Sequence, residues 1–359
     1  MTRKSPIFEL IEKHRALEAE IRNNREHFIS DWNGEHPFVG QFLGAELSRR
    51  LPESPALSRY IYFDEQHSIL DAICNFHKTV DNLSLSHRNI MAGPGSSSIL
   101  VALSLWLLQQ GHEEVFYVPP LYYTLHFFLK TLHIHLRPVT GKHMFEPDCA
   151  LNLPKKKTVL LLSDPMWYAG KRVSLAMIEM IADWQRKTGS LVIIDGAFQY
   201  TQWGNTRQEF SSRLDSDKTF RLISPTKSLA IPAFRFAYLL HPTQYHDNLL
   251  FLYESIVGGS TLFDVVFARR ALKVLSGRTS NYSLTNFLQS TYCQLSKRRI
   301  FETKISPDCG YFIFAKPRIK LDNSAVMTEE FFELNGYPGY IRLNLMIAHR
   351  IYIEKRTVV

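Results

Sequence analysis

From residue 89 onward, short apolar runs alternate with longer stretches in which apolar residues recur at helical spacing. Apolar, β-branched runs at 89–92, 114–118, 132–139, 158–162, 191–194, 219–223 and 236–240 read as strands. Helical spacing occupies 97–110, 123–131 and 175–188, and an earlier helix is expected over His67–Lys78. Strands that are apolar throughout, rather than every second residue, are buried on both faces. Separated by helices, they predict a mostly parallel sheet covered on both sides, with ligands at the carboxyl ends of the strands.

The pattern changes past about residue 245. A long helical region over 247–276 and another over 282–300 lead to strand-like segments at 311–315 and 340–345, which suits a smaller α+β domain. At the other end, Ile7, Leu10, Ile11, Leu17, Ile21 and Phe28 give an apolar stripe to a helix over 7–30. Gly34, Pro37, Gly40, Gly44, Pro52 and Pro55 then favour an irregular crossing segment. The expected division is an N-terminal helix and crossing segment (1–55) joined to the small domain, and a large cofactor-binding domain (56–245). An interdomain helix and the C-terminal small domain (246–359) complete it. The fold class is α/β, and internal repeats are absent.

Composition changes this picture little. With 359 residues, 45% apolar and 21% charged, the chain can bury a large core or a large and a small one. The net charge of +8 raises the question of nucleic acid, but the clusters Lys155–Lys157 and Lys297–Arg299 are short and the other basic residues are dispersed. A solvated surface, with a basic cleft for an anionic cofactor, accounts for the charge without a polymer. Cys74, Cys149, Cys293 and Cys309 lack metal or redox spacing, so a reducing cytoplasm is expected. Met1–Pro6 has no signal-peptide core, and Ile99–Leu108, interrupted by Ser104, is too short to cross a bilayer. His133 and His135 read as filler rather than metal ligands.

Chemistry concentrates at strand ends. Lys227 lies in Ser224-Pro-Thr-Lys-Ser, directly after an apolar strand, with Arg235 eight positions on. A lysine partly desolvated at a strand end can attack a carbonyl, and a hydroxyl with a guanidinium beside it can hold a phosphate. Gly93-Pro-Gly-Ser-Ser-Ser98 opens a helix whose first N–H groups, at Ser96 and Ser97, suit either phosphate or an ordinary serine cap. Pro119-Pro-Leu-Tyr122 presents an aromatic ring that either stacks on a planar ligand or fills a loop. Asp195 ends the most apolar strand and needs a cationic partner or a helix to cap. Arg342, inside the alternating strand Tyr340–Leu345, suits bidentate capture of a carboxylate or reaches solvent from an edge.

The order of these pieces resembles the class I/II aminotransferases, the fold-type-I pyridoxal-phosphate enzymes, over residues 58–345. The resemblance implies the aspartate aminotransferase-like fold and pyridoxal 5'-phosphate as cofactor. Lys227 becomes the Schiff-base lysine and Asp195 the partner of the pyridine nitrogen. Ser224, Arg235, Ser96 and Ser97 bind phosphate, Tyr122 stacks on the ring, and Arg342 holds the substrate carboxylate. Tyr60 falls where the family reaches the neighbouring subunit's phosphate, although Glu65 replaces the usual glycine. A homodimer acting on an amino acid and a 2-oxo acid follows, with Lys227 shuttling the proton. No nucleic-acid or membrane partner is expected.

Two positions depart from the family pattern. Trp167 stands where an asparagine usually meets the cofactor's phenolic oxygen, and Phe198 where a tyrosine does. Trp167 is therefore expected at the substrate, and the imine pKa is expected to rise unless Tyr168, Asp164 or Tyr200 substitutes. The altered oxygen environment keeps elimination, cyclisation or decarboxylation of an amino acid as the alternative reaction. A non-catalytic descendant would have no need of Lys227.

Overall fold

The computed structural model describes residues 13, 16, 67–204, 208–231, 234–259, 262–277, 280–319, 327–328 and 331–354. Helix 7–30 (apart from Lys13 and Ala16, both helical), the crossing segment and Tyr60 lie outside the described residues.

Helix α1 (His67–Val80) leads into a seven-stranded sheet. Its elements in chain order are β1 (Ile90–Gly93), α2 (Ser96–Gln109), β2 (Glu114–Tyr117), α3 (Tyr123–Thr131), β3 (His135–Pro138) and β4 (Val159–Ser163). They continue with α4 (Leu175–Thr188), β5 (Leu191–Gly196), β6 (Thr219–Ile223), the single turn α5 (Pro225–Ser228) and β7 (Ala237–Leu240). The strand order is β1-β7-β6-β5-β4-β2-β3, and only the pairs involving β7 are antiparallel. Every residue of β4, β5 and β6 is buried, as strands covered on both faces require. The end signals of α4 are local: Ser174 accepts from the Met177 N–H at 3.3 Å, and Gly189 turns left-handed at φ 69°.

Helices α6 (His246–Val257), α7 (Leu262–Ser276) and α8 (Ser280–Lys297) follow. The single helical region expected over 247–276 is thus two helices. Gly258, at φ 75°, ends the first of them, because glycine alone adopts that conformation without strain. Helix α6 packs on α2, and α7 on α1. A second sheet, antiparallel in the order β10-β9-β8, holds β8 (Phe301–Glu302), β9 (Phe312–Pro317) and β10 (Ile341–Asn344). Asn344 then caps a short helix, α9 (Leu345–His349), accepting from the Met346 N–H at 3.0 Å. The expected strand therefore stops one residue early. His133 and His135 are both exposed, His133 in a turn rather than a strand, and no metal-binding cluster occurs among the described residues.

The sheet brings distant residues to one edge. Ser163, Asp195 and Leu222 are neighbours across β4, β5 and β6, so all three strands deliver their next residues to the same side. Because β7 runs antiparallel, its beginning lies on that side too, beside the end of β1, with Gly93 opposite Ala237. Arg235, just before β7, is thereby carried to the Gly93–Ser98 turn.

Candidate active site

The turn after β1 is shaped for an anion. Gly95 has φ 90° and caps α2 without a side chain. That φ favours glycine, and a Cβ at Gly95 would lie 2.7 Å from an Arg235 guanidinium nitrogen, so the cation sits directly against this turn. Ser96 is buried and Ser97 exposed on the first turn of α2, where backbone N–H groups have no intrahelical acceptor. Ser98 is tied down instead: its hydroxyl donates to the Gly95 carbonyl at 2.9 Å and meets the Tyr253 hydroxyl of α6 at 3.1 Å. Ser224 shares a 3.0 Å hydrogen bond with Thr226 and donates weakly, at 3.5 Å, to the Phe236 carbonyl beside Arg235.

Lys227 is half-buried on α5, where its backbone N–H donates to the Ser224 carbonyl at 2.9 Å. Ser228 fixes the turn by donating its hydroxyl to the Gln199 carbonyl at 2.7 Å, linking α5 to the segment after β5. The Lys227 ammonium lies 5.0 Å from the Tyr122 ring centre and 5.3 Å from that of Phe198. Asp195 is buried, and its carboxylate accepts from the Ala197 N–H at 3.2 Å. Burial pushes the Asp195 pKa up, and the Lys227 charge pulls it part of the way back.

On the second sheet, Arg342 pairs across the strands with Phe314 and has Phe312 as its diagonal neighbour. Though β10 is an edge strand, the guanidinium faces inward and is only 1% exposed. Its carbon lies 4.1 Å from the Phe312 ring centre and 5.4 Å from that of Trp167. Gly170 permits this docking: at φ 60°, a Cβ there would lie 2.3 Å from the Phe312 carbonyl oxygen. Trp167 is fixed by donating its indole N–H to the Pro120 carbonyl at 3.2 Å, and its ring meets Tyr122 edge-on at 5.9 Å.

The structure thus gathers Lys227, Asp195, Tyr122, Trp167 and Phe198, with Arg342 against Trp167. Ser96, Ser97, Ser224 and Arg235 cluster at the β1 and β7 ends. Tyr60 lies outside the described residues. None of the three stand-in donors points into the site. Tyr168 shares a hydrogen bond with His143, Asp164 accepts from the Val173 N–H at 2.9 Å, and Tyr200 donates to Asp81 at 2.7 Å. Asp164 faces a second buried carboxyl, Glu209. Burial pushes both up, and the Asp164 charge raises Glu209 further. Phe312 and Tyr253 carried no motif. Their involvement follows from strand register and helix packing.

This donor set fits pyridoxal phosphate. Buried Asp195 matches a protonated ring nitrogen, the Gly95–Arg235 turn matches a phosphate, and Lys227 between two aromatic faces matches a flat aldehyde.

The chain belongs to the aminotransferase class I and II family, whose model matches residues 43–289. Two solved structures share the fold. Aspartate aminotransferase from Thermotoga maritima superposes with a TM-score of 0.74 at 15% identity, covering 99% of this chain and 94% of that one. YbdL from Escherichia coli, described as having a methionine aminotransferase function, gives 0.73 at 12% identity over 96% of both chains. Histidinol-phosphate aminotransferase from Christiangramia forsetii is 28% identical over 124 residues, which span 34% of this chain and only 35% of that protein.

Proposed function

We propose that the protein moves an amino group between an amino acid and a 2-oxo acid, with pyridoxal phosphate held on Lys227. The observation that carries this is the position of the Lys227 amine beside the Tyr122 and Phe198 rings, close enough to buried Asp195 for its charge to act on that carboxyl. The cofactor supplies an aldehyde and an electron-withdrawing ring. Asp195 keeps the ring nitrogen protonated, since a buried carboxylate strongly favours a cation beside it. Ser96, Ser97, Ser224 and Arg235 hold the phosphate, and Tyr122 covers one face of the ring. Arg342 docks the substrate carboxylate. Lys227 first holds the cofactor and then, once free, carries a proton from the substrate Cα. The working unit in this proposal is a homodimer in the cytoplasm, with Tyr60 reaching the neighbouring subunit's phosphate. Four unpaired cysteines suit a reducing compartment. The large domain comprises 56–245, and the remainder forms the small domain with its connecting helix.

Adding one equivalent of an amino donor to the cofactor-loaded protein tests the proposal. Transfer converts the bound cofactor to its amine form, and one equivalent of 2-oxo acid appears. A second reading draws support from Phe198 and Trp167 themselves, of which the first has no hydroxyl and the second has its indole N–H committed to Pro120. Elimination, cyclisation or decarboxylation would return the cofactor to its aldehyde form, with no amine form accumulating.

The same surroundings give a measurable expectation. With neither Trp167 nor Phe198 offering a donor to a phenolic oxygen, the Lys227 nitrogen, once joined to the cofactor, would keep its proton to higher pH. Phe198→Tyr restores one donor and should lower the midpoint of the visible-band titration by roughly one unit. An unchanged midpoint means that another group already serves that oxygen.

A further inference from the structure

A closed collar joins the amine to the guanidinium. From Lys227 the contacts run to Phe198 at 5.3 Å, to Phe312 at 5.8 Å, and on to Arg342 at 4.1 Å. They return through Trp167 at 5.4 Å and Tyr122 at 5.9 Å to Lys227 at 5.0 Å. Four aromatic rings thus separate the two cations. Two rings lie against the Arg342 guanidinium, which leaves its N–H edge as the part suited to a carboxylate.

The Trp167 wall is fixed from behind. Besides its bond to Pro120, the indole packs on Phe332 at 5.8 Å and on Tyr168 at 5.6 Å, and those two rings stack on each other at 4.8 Å. The collar's own two cations are both committed in this reading, Lys227 to the cofactor and Arg342 to the first carboxylate. A second ligand carboxylate inside the collar would therefore be desolvated without a cation among these groups, which is costly. An uncharged, flat side chain would gain ring contacts instead.

We propose that the collar selects amino donors and oxo acids with an uncharged, bulky or aromatic side chain over dicarboxylic ones, and that Trp167 is the residue that sets this selection. The proposal rests on the amino-transfer reading for the site's identity but is measured separately from it. Calorimetric titration of the cofactor-loaded protein with hydrocinnamate and with succinate compares an aromatic monocarboxylate with a dicarboxylate. Hydrocinnamate should bind at least about 10-fold tighter, Trp167→Ala should abolish that preference, and Trp167→Phe should keep most of it. Succinate binding as tightly as hydrocinnamate overturns the proposal. So does a Trp167→Ala protein that weakens both ligands equally, because the indole would then be structural. Should Trp167→Ala fail to fold, the wild-type preference and its retention or loss in Trp167→Phe still support or overturn the selection. Failure of amino transfer itself appears as a visible band unmoved by any amino acid, whatever the ligand preference.

Discussion

Lys227→Ala should lower turnover by more than about 10⁴-fold, because in the proposed reaction one side chain serves as both nucleophile and proton carrier. The same change should remove the visible band that a covalently attached aldehyde gives. The loss is chemical rather than structural. Lys227 is half-buried, and its turn is held by bonds the substitution leaves intact: the Lys227 backbone N–H to the Ser224 carbonyl and the Ser228 hydroxyl to the Gln199 carbonyl. Melting by circular dichroism should therefore match the wild type. On the proposed reading, cofactor should still bind through the Gly95–Arg235 turn and Asp195, but by non-covalent contacts that dialysis reverses. Survival of both turnover and colour would remove Lys227 from the mechanism.

Arg221→Leu should be the most damaging substitution away from the chemistry. Arg221 is 3% exposed in the middle of β6. Both terminal nitrogens donate to Asp81 at 3.2 Å, and one also donates to Gln199 at 2.9 Å and to the Tyr200 hydroxyl at 3.0 Å. Asp81 also meets the His77 ring at 2.9 Å, whose other nitrogen meets the Tyr238 hydroxyl at 2.9 Å. Leucine would leave the Asp81 carboxylate buried without its guanidinium, which costs about 3–5 kcal/mol. Arg221→Lys should recover little, since an ammonium cannot reproduce the planar fork.

The pH dependence has a definite sign. Although burial opposes ionisation, Arg221 and His77 hold the Asp81 carboxyl well below the usual carboxylate range. A folded pKa below the unfolded one gives stability that is complete above the unfolded value. That stability is lost as pH falls towards the folded value. The urea midpoints of wild type and Arg221→Leu should therefore differ most near neutrality and converge in strong acid. A constant gap down to low pH would show that packing, not charge, dominates the difference.

The sheet and the clustering of most of the proposed anchors were legible because each is local. Apolar runs mark β4, β5 and β6, and Asp195 near the end of β5 and Lys227 after β6 inherit their place from the strand ends. The Gly95–Arg235 contact was legible as chemistry but not as geometry, since it depends on β7 running antiparallel between β1 and β6. What stayed hidden arises between distant positions. Asp81 and Arg221 lie 140 residues apart, and Phe312 meets Arg342 only through the register of β9 and β10. The orientation of Tyr168 and Tyr200 away from the site likewise follows from partners, His143 and Asp81, that no spacing rule joins to them. Gly258 was visible in the sequence, yet the helical periodicity on both sides of it masked the break.

Borohydride reduction of the cofactor-loaded protein, followed by proteolysis and mass spectrometry, tests the central claim most directly. Reduction makes the lysine link permanent, so the pyridoxyl group should appear on the peptide containing Lys227, at one equivalent per chain. Label on another lysine, or spread thinly over exposed ones such as Lys155–Lys157, would contradict it.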